Sequence, residues 1–199
     1  MTRTLFIPKI KHEVNYKMKW MIASDIHGSA YYCEKMLGRY KEEKAKRLIL
    51  LGDLLYHGPR NDLPKDYAPK KVIEMLNANS ESLLCVRGNC EAEVDQMVLN
   101  FPVMADYALL SFGKQVIFIT HGHIYNTENL PPIKNSDVLL HGHTHIRIME
   151  NKGDYFYVNP GSVSLPKENQ VNSYAIFDDG IFTTKDLDGN VLETLDISL

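Results

Sequence analysis

The sequence has few cysteines, no long apolar run and no excess of basic residues. Its 199 residues include only three cysteines, an odd number without the spacing of a disulfide framework. A reducing, cytoplasmic environment is therefore expected. No apolar stretch approaches the length of a membrane span, and the N-terminus lacks the apolar core of a signal peptide. These absences predict a cytoplasmic protein with no membrane partner.

The formal net charge of −3 gives no general attraction for nucleic acid, so no stable nucleic-acid complex is expected. The length suits one domain with a sizeable core. We predict that this domain spans residues 18–199, because the first apolar strand follows Met18 at once. Residues 1–17 are polar with scattered apolar side chains, and we expect this extension to lie outside the core. His12 is interpreted as a surface residue.

The first half of the domain alternates short apolar runs with helical patterns. Apolar side chains recur at helical spacing in residues 30–44 and 69–78. Short apolar runs precede, separate and follow these helices, at residues 20–24, 47–51 and 81–86. A β-α-β-α-β order implies parallel strands joined by crossover helices.

The second half is rich in predicted strands. They are residues 107–111, 115–120, 138–141, 146–150, 155–158, 173–177, 181–185 and 191–197. Turn signals such as residues 151–154, Asn-Lys-Gly-Asp, join neighbouring strands into hairpins. The whole pattern predicts an α/β domain with helices outside two sheets.

Oxygen and imidazole ligands follow many of the apolar runs. These segments are Asp25-Ile26-His27-Gly28, Gly52-Asp53, Gly88-Asn89-Cys90-Glu91, His121-Gly122-His123 and His141-Gly142-His143-Thr144-His145. Ligands bind beyond the carboxyl ends of strands in open α/β sheets, so these segments are expected to converge. Aspartate, asparagine and histidine donors without a cysteine pair suit Mn(II), Fe(II), Zn(II) or Ni(II). The donors are too many for one ion, whereas two ions about 3.5–4 Å apart would use them all and would stabilise an in-line phosphoryl displacement.

The ordered motifs resemble those of the calcineurin-like metallophosphoesterases, whose signature is Asp-x-His, Gly-Asp, Gly-Asn-His, Gly-His and Gly-His-x-His. The likeness extends from about Met18 to the C-terminus. It is greatest to the YfcE-type bacterial phosphodiesterases, through residues 23–28, 52–61, 86–90, 120–123, 142–145 and 159–164. The resemblance implies a four-layer α/β/β/α sandwich of two mixed sheets flanked by helices. It also implies a phosphodiesterase that acts on a small phosphodiester.

The same resemblance implies a ligand set for two divalent metal ions. One ion would be held by Asp25, His27 and His145. The other would be held by Asn89, His121 and His143, with Asp53 bridging the two. Manganese is the metal that the resemblance implies, with zinc, iron(II) and nickel(II) as alternatives. The YfcE-type likeness also points to a homo-oligomer, either a dimer or a tetramer.

Further side chains near the motifs are candidates for contact with the ligands or the substrate. We expect His57 and His123 to lie beside the metal ligands or to contact the substrate. Arg60 or Arg87 would either hold a phosphoryl oxygen or form a salt bridge that positions a loop. His141 is assigned to the preceding strand rather than to a metal.

The expected reaction is in-line attack on phosphorus by a hydroxide shared by the two ions, because bound metal lowers the pKa of water. A phosphomonoesterase or protein phosphatase of the same fold remains open, as does a non-catalytic scaffold. A scaffold would show a broken ligand set, and phosphatases normally show Gly-Asn-His-Glu where this chain has Cys90. Cys90 either lies near the leaving group as a poor proton donor or packs beneath its loop as a small hydrophobic residue.

Overall fold

The computed structural model describes residues 19–198, which form two β-sheets packed against each other. The extension predicted for residues 1–17 lies outside the described residues. The first half consists of β1 (Lys19–Ala23), α1 (Ala30–Glu43), β2 (Arg47–Leu50), α2 (Pro69–Asn77) and β3 (Leu83–Cys85). Because β1 pairs parallel with β2 and β2 with β3, the predicted crossover arrangement is confirmed.

Two details of the first half differ from the prediction. Residues 81 and 82 belong to a short 3-10 helix (Ser80–Ser82), so β3 begins only at Leu83. A third helix, α3 (Glu93–Val98), was not predicted. None of its residues is buried, so the sequence carries no apolar stripe that would reveal it.

The second half contributes eight strands. They are β4 (Tyr107–Phe112), β5 (Gln115–Thr120), β6 (Val138–Leu140), β7 (Arg147–Asn151), β8 (Phe156–Pro160), β9 (Ser173–Asp178), β10 (Ile181–Asp186) and β11 (Val191–Asp196). The first sheet has the order β11-β10-β9-β1-β2-β3, and the second has the order β4-β5-β6-β8-β7. The predicted hairpins β4-β5 and β7-β8 and the closing antiparallel meander are confirmed.

Side chains of each strand alternate between two cores, as the period of a β-strand requires. In β1, Trp20 and Ile22 point into the core between the sheets, where they meet side chains such as Ile119 and Val158. Met21 and Ala23 point the other way, into the core beneath α1 and α2. Strands buried on both faces read as continuous apolar runs, which explains the short runs seen in the sequence.

Helix α1 is defined by its ends as well as by its apolar stripe. Ser29 accepts a hydrogen bond from the Tyr32 backbone N–H at 3.3 Å and so caps the first turn. Lys44 closes the last turn in the left-handed conformation, with φ 53°. Cys33 and Met36 bury the inner face against the first sheet.

The fold class is confirmed as α/β with two mixed sheets. The outer face of the second sheet, formed by Phe118, Leu139 and Tyr157, packs against loop residues such as Tyr125 and Ile133. In the described part of the chain, this layer therefore consists of a loop where helices were expected. Among residues 19–198, no helix combines the length and apolar character needed to cross a membrane.

Candidate metal centre

The loops that follow the parallel strands converge at one edge of the two sheets. The loop after β1 is tied to the loop after β2 by the His27 backbone N–H, which donates to the Asp53 carbonyl at 2.9 Å. The loops after β5 and β6 are joined by the Gly142 N–H, which donates to the His121 carbonyl at 2.9 Å. This convergence brings together seven predicted ligands that are up to 120 residues apart in sequence.

Asp25, His27 and His145 form the first group of ligands. The Nδ1 atoms of His27 and His145 donate to the carbonyls of Tyr56 and Leu165, both at 2.7 Å. A carbonyl can only accept, so each neutral ring is left with a lone pair on Nε2. These two Nε2 atoms lie 3.1 Å apart, and His145 Nε2 is 3.3 Å from Asp25 Oδ1.

Asn89, His121 and His143 form the second group. His121 Nδ1 donates to the Leu51 carbonyl at 2.7 Å, which leaves a lone pair on its Nε2 atom as well. That Nε2 atom is 3.1 Å from Asn89 Oδ1 and 3.1 Å from His143 Nδ1. Burial lowers the pKa of His143 to about 4, so its imidazole is neutral at pH 7.

Asp53 lies between the two groups. Its Oδ2 atom is 3.6 Å from His27 Nε2, and its Oδ1 atom is 3.5 Å from His121 Nε2. Each carboxylate oxygen therefore faces a different group of lone pairs, as the predicted bridging position requires. Cys90 holds the carboxylate in place through its backbone N–H, which donates to Oδ1 at 2.9 Å.

The arrangement of the donor atoms is more favourable with divalent cations between them than without. Lone pairs that face each other at 3.1 Å repel unless a cation lies between them, and two nitrogens bound to one ion are separated by about 3 Å. Asp25 Oδ1 is buried and has no hydrogen-bond partner among the described residues. Burial alone would raise the pKa of Asp25, but the neighbouring His145 and His27 outweigh it and hold the pKa well below its usual value. The site therefore presents a charged carboxylate oxygen that a metal ion would satisfy.

The backbone of the ligand loops is held in an uncommon conformation. Five of the eleven non-glycine residues with positive φ in residues 19–198 are predicted ligands: Asp25, His27, Asp53, His143 and His145. Such strain persists only where surrounding contacts enforce it, and it is concentrated at functional sites. Gly142 shows how tight the site is, because a Cβ atom there would lie 1.9 Å from Ser24 Oγ.

Glu91 is a site residue whose role the sequence did not reveal. Its buried carboxylate accepts backbone N–H groups from Leu54 at 2.7 Å, from Asp53 at 2.8 Å and from Gly88 at 2.6 Å. Glu91 thereby joins the loop after β2 to the loop after β3, which carry Asp53 and Asn89. Burial, with the charge of Asp53, raises the pKa of Glu91 despite these hydrogen bonds.

The loop after β8 also supports the centre. Ser162 and Ser164 both donate their hydroxyls to the Asp25 carbonyl at 2.9 Å. Asn159 donates to the Gly142 carbonyl at 2.9 Å and to Thr144 Oγ1 at 3.0 Å. These polar contacts explain why residues 159–164 belong to the motif although they supply no ligand.

A cavity of about 350 Å³ opens beside the ligands. Arg60 and Cys90 line it, as do Asn61 and Lys167, which sequence reasoning did not single out. The half-buried Cys90 therefore lines the cavity, and its role near the leaving group stays a prediction. Burial, followed by the charge of Asp53, raises the pKa of the Cys90 thiol above its usual value.

Three other residues that the sequence singled out, His57, His123 and Arg87, do not line this cavity. His57 packs between Tyr56 and Tyr67, with ring centroids 4.8 and 5.2 Å away. His123 lies beside the second group, 5.4 Å from the ring of His121. His123 therefore lies beside the predicted metal ligands, as one of the two alternatives expected, and contact of either histidine with substrate stays a prediction.

Arg87 is paired with Asp106 at 2.7 Å, which confirms the salt-bridge alternative for that arginine. His141 follows the end of β6, where its ring packs 4.9 Å from Tyr157. Burial lowers the pKa of His141 to about 4. Its assignment as a packed residue rather than a ligand agrees with this position.

Comparison with known proteins gives a consistent result. The model of the calcineurin-like phosphoesterase superfamily domain matches residues 18–179. Phosphodiesterase YfcE of Escherichia coli K12 is 48% identical over 166 residues, covering 83% of this chain and 90% of that protein. A solved structure of the E. coli phosphoesterase Yfce, 45% identical, superposes with a TM-score of 0.88 over 91% of this chain and all of the other. Vps29 of Entamoeba histolytica, 20% identical, shares the fold with a TM-score of 0.60 over 90% of this chain and 99% of its own.

Proposed function

Since this chain belongs to the calcineurin-like phosphoesterase superfamily and is a homologue of phosphodiesterase YfcE, we propose that it hydrolyses a small phosphodiester with the help of two divalent metal ions. One observation supports this proposal above the others. Two groups of lone pairs share the carboxylate of Asp53 and border one open cavity. A pair of ions bound in this way suits the in-line displacement of an alcohol from phosphorus.

Each group of side chains would hold one ion. Asp25, His27 and His145 would bind the first, Asn89, His121 and His143 would bind the second, and Asp53 would bind both. When bound, the ions supply a nucleophile at neutral pH by lowering the pKa of water, and they neutralise charge on the phosphoryl oxygens. Manganese is our proposal for the native metal, with zinc, iron(II) or nickel(II) as alternatives that metal analysis distinguishes.

The remaining contributions come from the chain itself. The carbonyls of Tyr56, Leu51 and Leu165 fix the rings of the ligating histidines, so the donors need little rearrangement. Arg60 extends from the cavity wall and offers a guanidinium to an oxygen of the substrate. We assign Cys90, which lines the cavity, to the side of the leaving group, where its thiol would be a poor proton donor.

Two features support a phosphodiesterase over the other functions of this fold. The seven donors are all present and face one another, which a non-catalytic scaffold does not need. Cys90 stands where the phosphatase motif has a histidine, so the chain departs from the phosphatase motif at this position.

We propose further that residues 18–199 form the functional domain, with residues 1–17 outside its core. We also propose that the protein is cytoplasmic, forms no stable nucleic-acid complex, and assembles as a homodimer or homotetramer whose mass light scattering would measure. The odd number of cysteines supports a cytoplasmic location. The net charge of −3 supports the absence of a stable nucleic-acid complex. The open edge strands β11, β3, β4 and β7 support self-association.

Asp53→Asn tests the proposed centre. The variant should retain its fold by circular dichroism, bind less metal by elemental analysis, and lose at least 100-fold in hydrolysis of bis(p-nitrophenyl) phosphate, because one bridging charge is removed. Asp179→Asn is the matched control, since Asp179 is exposed and has a similar φ of 51° against 55° for Asp53. Wild-type turnover in Asp53→Asn with manganese added back would contradict the bridging role.

A further inference from the structure

Two cations at the cavity have no side-chain partner in the described part of the chain. Arg60 and Lys167 both line the cavity beside the ligands, and both are exposed. Among residues 19–198, neither side chain forms an ion pair or a hydrogen bond. Arg87 gives the contrast, because its guanidinium is neutralised by Asp106 at 2.7 Å. The positive charge of Arg60 and Lys167 is therefore available to a ligand.

Both side chains extend from backbone that the centre holds in place. The turn under Arg60 is closed by Asn61, whose backbone N–H donates to the Gly58 carbonyl at 3.3 Å and whose side chain donates to the His57 carbonyl at 2.8 Å. Lys167 is tied directly to a ligand, because its backbone N–H donates to the His145 carbonyl at 3.1 Å. The backbone from which each charge extends therefore keeps a defined position relative to the proposed ligands.

The phosphodiester itself does not need both charges. Asp53 is the only carboxylate among the described residues that line the cavity. With two divalent ions bound, the centre already carries enough positive charge for a monoanionic phosphate and an attacking hydroxide. The nearby carboxylate of Glu91 accepts three backbone N–H groups instead of pairing with either cation. A simple diester, whose only charge is on the phosphate, therefore offers no negative group to at least one of the two cations, Arg60 and Lys167.

The lining of the cavity also limits what the substrate can present. No phenyl, phenol or indole ring lines it among the described residues, so it offers no broad surface on which a nucleobase would stack. Its wall beyond the ligands is polar and cationic, from Asn61, Arg60 and Lys167. Such a wall favours a compact, anionic substituent over an aromatic or cationic one.

We infer that Arg60 and Lys167 select phosphodiesters whose second arm carries an additional negative charge, such as a carboxylate. This inference rests on the proposed function and specifies its substrate class. The two residues act as specificity determinants, because they bind the arm of the substrate that the reaction leaves attached to phosphorus. The bond to the leaving group is hydrolysed by the same reaction whatever the charge of the retained arm.

A series of p-nitrophenyl phosphodiesters with one leaving group tests the inference. Their second arms would be n-butyl, 3-carboxypropyl and 4-ammoniobutyl, which are all linear, so that the charge at the end of the arm is the main change. At low ionic strength, the wild type should show kcat/KM about fivefold higher for the carboxylate ester than for the butyl ester, and lowest for the cationic ester. The preference should fall as salt is added, because exposed charges are screened.

Substitutions of Arg60 and Lys167 should change the ratio of kcat/KM between the esters in a predictable direction. Arg60→Gln combined with Lys167→Met should bring the carboxylate and butyl esters to within about twofold, and Lys167→Glu should favour the cationic ester. Lys41→Met is the control, since Lys41 lies on helix α1 away from the cavity, and it should keep the wild-type ratio. Calorimetric binding of 3-carboxypropyl phosphate against butyl phosphate gives a readout that does not need turnover.

The outcomes separate the inference from the proposed function. Equal kcat/KM for the three esters in the wild type would overturn the inference and leave the phosphodiesterase intact. A preference for the anionic arm that survives in the double variant would also overturn it. Failure to hydrolyse any of the esters with metal present would defeat the proposed function. In that case the calorimetric comparison still decides whether the cavity prefers the anionic arm.

Discussion

At the scale of single residues, the two histidines of residues 143–145 show how neighbouring side chains serve different groups. His143 and His145 both have left-handed backbone, with φ 66° and 62°. His143 Nδ1 faces His121, whereas His145 Nε2 faces His27. Thr144 is held between them by Asn159, which donates to its hydroxyl at 3.0 Å. The strained backbone turns each imidazole toward its own group, which ordinary strand geometry would not do.

Cys90 leads to a testable prediction about how the rate of hydrolysis depends on the leaving group. A thiol whose pKa is raised by burial and by the charge of Asp53 delivers a proton poorly. The wild type should therefore hydrolyse aryl diesters well and unactivated alkyl esters poorly. Cys90→His should raise the rate by about 10-fold or more for poor leaving groups and much less for nitrophenolate, as measured with esters of graded leaving-group pKa.

Cys90→Ser is the control for this substitution, because it changes the volume little and introduces no imidazole. Its rates should keep the wild-type dependence on leaving-group pKa. If the gain from Cys90→His does not grow with the pKa of the leaving group, the account of a missing proton donor is wrong.

At the scale of elements, Glu91 connects the loops that follow two neighbouring strands of the first sheet. β2 and β3 pair through only three residue positions, so the register of their loops depends on contacts beyond the strands. The three backbone hydrogen bonds to Glu91 supply such contacts. A glutamine there cannot accept all three without directing its own N–H groups at donors.

Glu91→Gln should accordingly lower metal affinity and kcat while the protein remains folded. We expect a 10- to 100-fold loss in metal affinity, the range typical when a group that supports metal ligands is removed. Glu93→Gln, two residues away and exposed, should behave as the wild type. Metal titration followed by calorimetry is the measurement, and unchanged affinity in Glu91→Gln would contradict the positioning role.

At the scale of the whole molecule, Glu43 links the last turn of α1 to the first sheet. Its carboxylate accepts from Lys19 at 2.8 Å, from Lys185 at 2.7 Å and from the Tyr174 hydroxyl at 2.9 Å. These partners lie on β1, β10 and β9. Burial by itself raises the pKa of Glu43, but the three hydrogen bonds outweigh burial and hold the pKa at about 2.

The depressed pKa of Glu43 sets the pH range in which this contact stabilises the fold. Its contribution is complete above the unfolded pKa of about 4.5 and is lost as the pH falls toward 2. Allowing for screening by water, Glu43→Gln should lower the free energy of unfolding by about 1–2 kcal/mol at pH 7 and by much less near pH 2.5. Urea unfolding at both pH values measures the difference.

Glu34→Gln provides the comparison, since Glu34 is an exposed residue of the same helix. Its effect should be small and nearly independent of pH. An equal destabilisation by Glu43→Gln at pH 7 and pH 2.5 would show that packing, rather than charge, accounts for the contact.

Removal of residues 1–17 tests the proposed domain boundary. The matched family domain begins at residue 18, and β1 begins at Lys19. A chain starting at Met18 should therefore keep the melting temperature and the kcat/KM of the full chain, within about twofold. Loss of solubility or a large fall in rate would show that the extension packs against the domain.

The sequence by itself determined where the proposed ligands would converge, and for a physical reason. Period-two burial makes strands readable as apolar runs, and parallel strands place their carboxyl ends at one edge. Asp25, Asp53, Asn89, His121 and His143 follow such runs directly or within a few residues, so their convergence could be predicted without coordinates. The hairpin around residues 151–154 was predictable for a similarly local reason, its turn residues.

Only the tertiary structure decided which polar side chains serve the centre and how. Glu91 accepts N–H groups from 37 and 38 residues away, and Arg87 is neutralised by Asp106, 19 residues later. Arg60 and Lys167 reach one cavity although 107 positions separate them. Such pairings depend on how loops meet after the sheets have packed, and local periodicity carries no information about them. For the same reason the loop that covers the outer face of the second sheet was not predictable, because its few apolar contacts have no repeating spacing.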